Sequence, residues 1–128
     1  MRIIITGGPR TGKTTMSNDI WCYDYTMLHT DDFIDLSWTE QSEKVSHWFW
    51  EHGGDLNWIA EGVTCVRALR KFFENDFTFP PCDLLIYLTV AHEELLPGQL
   101  RLKKATDTIF DDDVFDNLAS SGVVILTI

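Results

Sequence analysis

Residues Arg2 to Thr15 read RIIITGGPRTGKTT, a β-branched apolar run that passes without a spacer into Gly7-x-x-x-x-Gly12-Lys13-Thr14. No other stretch of the chain restricts the fold as strongly. Ile3, Ile4 and Ile5 form a continuous apolar run of the kind found in a strand buried on both faces, which belongs to a parallel sheet covered by helices. The glycines let the chain take positive φ and bring backbone amides close to an anion, because no Cβ blocks the approach. The residues after Gly12 suit a helix, whose N-terminal dipole adds to the positive field of those amides. The spacing therefore predicts a phosphate cradle made of Gly7, Gly8, Pro9, Arg10, Thr11, Gly12, Lys13, Thr14 and Thr15. In such a cradle Lys13 reaches the β and γ phosphates of a nucleoside triphosphate, and the Thr14 hydroxyl coordinates magnesium.

The rest of the composition narrows the setting. A chain of 128 residues is expected to form one domain, 1–128, large enough to bury about two-thirds of its unfolded surface. It contains no apolar stretch near the length of a bilayer span, and its N-terminus lacks a signal-peptide pattern, so a cytoplasmic protein is expected, in the host cytoplasm if the source is viral. Cys22, Cys65 and Cys82 are widely spaced without a C-x-x-C pair and read as reduced thiols. His92-Glu93 begins like a zinc-protease motif, but Leu96 stands where its second histidine belongs, so zinc chemistry is not expected.

The formal net charge is −10, which opposes a broad nucleic-acid footprint. Seven of the ten basic residues (Arg10, Lys13, Arg67, Arg70, Arg101, Lys103 and Lys104) nevertheless fall in segments expected to face phosphates. An acidic body with a locally basic cleft would focus an anionic ligand there. The plainer alternative is that the later basic residues solvate helices.

Periodicity predicts strands at Tyr25 to His29, Leu56 to Ala60, Leu84 to Thr89 and Val123 to Thr127, in addition to the first. Helices are expected from Lys13 to about Tyr23 and from the capping box Ser37-x-x-Glu40 to about His52. Two more are expected from Cys65 to about Glu74 and from Asp111 to about Ser120. A helix beginning at His92 is expected to break at Pro97-Gly98. Strands alternating with helices imply α/β architecture, a three-layer α/β/α sandwich with a five-stranded parallel sheet.

Phosphoryl transfer needs charge neutralisation, magnesium and a carboxylate for the accepting hydroxyl. Asp31 and Asp32, after the second strand, are the candidates for that carboxylate, and a turn cap is the alternative reading. Glu61 closes the apolar run Trp58-Ile59-Ala60, where a carboxylate could hold magnesium or a substrate hydroxyl if this strand neighbours the first. A structural strand-end role is its alternative. Arg67 and Arg70 share a helix face and could grip an acceptor phosphate. Arg101, with Lys103 and Lys104, follows the Pro97-Gly98 break, a place for a lid arginine over the γ-phosphate. Phe33, Trp38, Trp48 and Trp50 could form a base-stacking wall, although aromatic residues at helical spacing are more often core. A guanine-reading Asn-Lys-x-Asp motif is missing, which weakens a GTPase reading.

GGPRTGKTT, HTDDF, IAEG and an arginine-bearing segment after LLIYLT together resemble the small P-loop kinases of the nucleoside-monophosphate-kinase and polynucleotide-kinase type. The resemblance implies a five-stranded parallel core, ATP with Mg2+, Asp31 or Asp32 toward the acceptor hydroxyl and Arg101 as lid arginine. The segment between Ala91 and Asp107 is short for such a lid. This economy resembles compact phage-type kinases, including those that phosphorylate 5-hydroxymethyluracil in DNA. The expected activity is transfer of the ATP γ-phosphate to a hydroxyl of a nucleotide, nucleoside or modified DNA base. A non-catalytic nucleotide-binding switch and a small-metabolite kinase of the shikimate or gluconate type are the alternatives.

Overall fold

The computed structural model describes residues 1–75 and 79–128. Five parallel strands, β1 (Arg2–Gly7), β2 (Thr26–His29), β3 (Trp58–Glu61), β4 (Leu84–Leu88) and β5 (Val124–Thr127), form one sheet in the order β2-β3-β1-β4-β5. The helices flanking it are α1 (Lys13–Ile20), α2 (Trp38–Glu51), α3 (Thr64–Glu74), α4 (Pro97–Ile109) and α5 (Phe115–Ser120). The expected α/β class and the all-parallel five-stranded sheet are both present.

The two faces of the sheet are covered unequally. Ile4, Ala60, Leu85 and Tyr87 point to the side where Val45 and Phe49 of α2, Leu69 and Phe72 of α3, and Leu118 of α5 complete the larger core. Ile3, Ile5, Ile59, Ile86 and Leu88 point the other way and meet Met16 of α1. This alternation explains the unbroken apolar sequence of β1, because each side chain has a helix layer to face. Trp58 is fully buried, stacked on Phe49 at 5.9 Å between ring centroids, and its indole N–H donates to the His52 carbonyl at 3.1 Å. Burying a large apolar side chain of this sort contributes about 1.5–3 kcal/mol.

The chain departs from sequence expectation after β4. No helix forms at His92, and Pro97-Gly98 does not interrupt one. Pro97 is instead the first residue of α4, a position where its missing N–H would have no partner anyway and its fixed φ suits the helix. The expected final helix at Asp111 is continuous with α4 through a π-helical turn, Phe110–Val114, which buries Phe110 and Val114. The stacking of Phe110 on Tyr87, 3.9 Å between centroids, anchors this turn to the sheet.

The strand order determines where a ligand can enter. After β1 the chain crosses to α1 on one face, and after β3 it crosses to α3 on the other, although β1 and β3 are adjacent. The loops therefore diverge and leave a crevice beyond the carboxyl ends of these two strands, the usual ligand position in an open α/β sheet.

Candidate functional site

The loop after β1 enters this crevice with its backbone turned left-handed at Arg10 (φ 58°) and at Gly12 (φ 88°), which caps α1. Left-handed residues in such a loop turn their amides into one concavity that suits an anion. Lys13 folds back over the loop, donating from Nζ to the Gly8 carbonyl at 2.6 Å and to Thr11 Oγ1 at 3.3 Å. Thr11 Oγ1 in turn donates to the Gly8 carbonyl at 3.0 Å. Burial holds the Lys13 ammonium below its ordinary pKa, while the negative charges of Glu61 and Asp31 pull it upward.

Glu61 sits at the end of β3 in register with Ile5 of β1 and His29 of β2. Its side chain is only 3% exposed, so the carboxylate needs partners. Thr14 Oγ1 donates to Oε2 at 3.3 Å, and His29 Nδ1 lies 2.7 Å from Oε1. An ionised carboxylate only accepts, so this contact places the imidazole proton on Nδ1. The next residue, Gly62, has φ 138°, and a Cβ there would stand 1.7 Å from Thr30 Oγ1. The Thr30 hydroxyl is buried and has no hydrogen-bond partner among the described residues.

A cavity of about 630 Å³ joins these parts, a size typical of small-molecule sites. Pro9 through Thr15, Asp31, Glu61 and Gly62 line it, together with Ile34, Leu36, Ser37, Trp38, Gln41, Val63, Thr64, Gln99 and Leu102. Of the two neighbouring aspartates, Asp31 lines the cavity and Asp32 does not. Both follow β2 in a 3-10 turn, Thr30–Phe33, and both are exposed.

The predicted basic residues converge less than their sequence positions suggested. Arg10 and Lys13 line the cavity, whereas Arg67 lies with its guanidinium carbon 5.2 Å above the Trp38 ring. Arg70 turns away to Asp113 at 3.7 Å. Arg101 is exposed on α4 outside the cavity lining, while Gln99 and Leu102 of the same helix contribute to it. Lys103 pairs with Asp107 at 2.7 Å, and its stem packs so closely on Gly8 that a Cβ there would meet its Cγ at 2.8 Å. Among the described residues the expected basic cleft is thus reduced to two lining cations, because the helical repeat of α3 and α4 keeps the others out of the lining. Of the aromatic residues, Trp38 lines the cavity, while Trp48 packs edge-on against Trp58 at 4.9 Å.

The loop leading to α4 rests on the glycine-rich loop. The His92 backbone N–H donates to the Arg10 carbonyl at 2.9 Å, and Arg10 and Glu93 form an ion pair. His29, Gln41, Gln99 and Leu102 were not anticipated from the sequence. Only His29 carried a usable signal, as the last residue of a strand whose register with β3 brings it beside Glu61.

Among the described residues no group of three or more His, Cys, Asp or Glu side chains is gathered to hold a metal. Thr14 Oγ1 and the Glu61 carboxylate are hard oxygen donors 3.3 Å apart. Such a sparse pair fits Mg2+, which keeps several waters and takes phosphate oxygens as further ligands. Also among the described residues, no helix is long and apolar enough to cross a membrane. No family model matches the chain, and no curated protein matches its sequence.

Proposed function

We propose that this chain is an ATP-dependent kinase that transfers the γ-phosphate to a hydroxyl of a nucleoside-like acceptor. The supporting observation is the convergence of Lys13, Thr14, Glu61 and Asp31 on one cavity, from three different segments of chain. The amides of the glycine-rich loop and Lys13 would hold the β and γ phosphates, with Arg10 beside them. Thr14 and Glu61 would hold Mg2+, which supplies neutralisation of the phosphate charge that builds up during transfer.

Asp31 stands where it can orient the acceptor hydroxyl and take its proton. In the transfer, the acceptor oxygen forms a bond to the γ-phosphorus, the bond from that phosphorus to the β-phosphate bridging oxygen breaks, and ADP leaves. The hydroxyl proton passes to the Asp31 carboxylate. Glu61, closed off by Thr14 and His29, is less available for that proton.

The test is incubation with γ-labelled ATP and Mg2+ against nucleosides, mononucleotides and oligonucleotides with and without 5-hydroxymethyluracil. Label on at least one acceptor, lost in Lys13→Ala, is expected. A second reading, a nucleotide-binding module without transfer, is favoured by the position of Arg101 outside the cavity. It predicts ATP binding with no labelled acceptor, and a single efficiently labelled compound would exclude it.

A further inference from the structure

The cavity divides by charge. Its cationic side chains, Arg10 and Lys13, both belong to the glycine-rich loop, and Arg10 is already paired with Glu93. Outside that loop the lining holds no cationic side chain among the described residues: besides Asp31 and Glu61 it is uncharged, with Ile34, Leu36, Trp38, Gln41, Thr64 and Gln99 among its residues. Neither arginine expected to meet an acceptor phosphate lines the cavity: Arg67 lies over the Trp38 ring and Arg70 pairs with Asp113.

The surrounding surface strengthens this division. From Thr30 to Glu40, the stretch that supplies Asp31, Ile34, Leu36, Ser37 and Trp38 to the lining, the chain carries Asp31, Asp32, Asp35 and Glu40 and no Lys or Arg, and all four carboxylates lie on exposed residues. An anion approaching from this side meets like charge, and among the described lining residues it finds no cation outside the glycine-rich loop to offset its desolvation. A donor triphosphate escapes this penalty because the loop amides and Lys13 receive it.

Gln41 adds a positive preference. It is 7% exposed, and its carboxamide is held at both ends, Nε2 donating to the Leu36 carbonyl at 2.8 Å and Oε1 accepting from Thr64 Oγ1 at 3.2 Å. An amide has two N–H donors and two acceptor lone pairs, so this clamped group retains one of each among the described residues. Beside the Trp38 indole, it suits a flat ring with an amide-like edge.

We infer that the acceptor half of the cavity takes a hydroxyl compound carrying no phosphate or carboxylate, nucleoside-like rather than nucleotide-like. The inference rests on the kinase reading for its division into donor and acceptor halves. The test is separate from transfer: calorimetric binding of thymidine and of thymidine 5′-monophosphate to protein saturated with Mg2+ and a non-hydrolysable ATP analogue. Thymidine is expected to bind about tenfold more tightly, like charge being the discriminating element. Asp35→Lys, at an exposed site outside the cavity, is expected to narrow that ratio several-fold at low salt and less at high salt.

Equal or tighter binding of the monophosphate, an unchanged ratio in Asp35→Lys, or no binding of thymidine would overturn the inference. Preferred thymidine binding without any transfer would uphold it while removing the kinase reading. Efficient transfer to the monophosphate, abolished by Arg67→Ala, would do the reverse.

Discussion

Thr14 and Glu61, separated by 47 positions in the chain, meet through a 3.3 Å hydrogen bond at the junction of α1 and β3. The contact exists because β3 pairs directly with β1, so that a residue just beyond the first strand and one at the end of the third share a crevice. If this pair holds Mg2+, Glu61→Gln is expected to lower phosphoryl transfer by about 10²–10³-fold, the usual cost of removing a preorganised electrostatic group. Binding of a nucleotide without metal should change far less. Initial rates across a Mg2+ titration check this, and a variant with near-normal rates would return Glu61 to a structural strand-end role.

The two neighbouring aspartates are expected to behave differently. Asp31 lines the cavity and its charge is felt by Lys13, whereas Asp32 lies outside the lining. Asp31→Asn should lose transfer by roughly 10²–10⁴-fold while retaining ATP binding, and Asp32→Asn should stay within about threefold. Labelling assays on both variants distinguish them. The opposite pattern would move the acceptor-side carboxylate to Asp32.

Gly62 is held at φ 138° against the buried Thr30 side chain, so an added methyl meets both backbone strain and a hydroxyl oxygen 1.7 Å away. Gly62→Ala is expected to cost roughly 2–5 kcal/mol. Because the Thr30 hydroxyl has no hydrogen-bond partner among the described residues, Thr30→Ala removes the closest contact without breaking a bond and leaves the Thr30 Cβ at 2.9 Å. The double variant should therefore recover about half of the lost stability, measured by denaturant unfolding at fixed ligand and salt. Simple additivity of the two changes would show that backbone strain, rather than the collision, dominates.

Much of this architecture is legible in local sequence. Ile3-Ile4-Ile5 announces a strand buried on both sides, and Gly12-Lys13-Thr14 announces the turn into α1, because each depends on the chain's own steric and hydrogen-bonding needs. Glu61 could be singled out as a strand-end carboxylate, but its partner His29 depends on the pairing of β2 with β3, which no local pattern states. Pro97 departs from expectation for a related reason. Proline breaks a helix interior yet opens a helix at its first position, and only the path of the preceding loop decides between them. Arg70 and Arg101 have suitable chemistry and suitable neighbours in sequence, yet the rotation of α3 and α4 on the sheet sends one to Asp113 and leaves the other exposed. Direction around a helix axis is fixed by packing, which is why their separation from the cavity emerges only in three dimensions.

Far from the crevice, Arg2 and Asp83 join the starts of β1 and β4. Arg2 donates to Asp83 from its backbone N–H at 2.7 Å and from its guanidinium at 3.0 and 3.3 Å, and the same guanidinium reaches the carbonyls of Gly53 and Pro80 at 3.1 Å each. These bonds hold the Asp83 carboxyl below its ordinary value of 3.8. A carboxyl with a lowered folded-state pKa stabilises the fold above its unfolded pKa, and that contribution disappears as the pH falls through the folded value. Asp83→Asn should therefore cost roughly 1 kcal/mol near pH 7, a figure discounted for the 44% exposure of the Asp83 side chain. The gap between wild type and variant should stay constant from pH 7 to about pH 5 and close as the pH drops below about 4. Urea unfolding midpoints of both proteins across that range measure it. A gap that persists undiminished at pH 2.5 would mean that the shape of the Asp83 side chain, rather than its charge, ties β4 to β1.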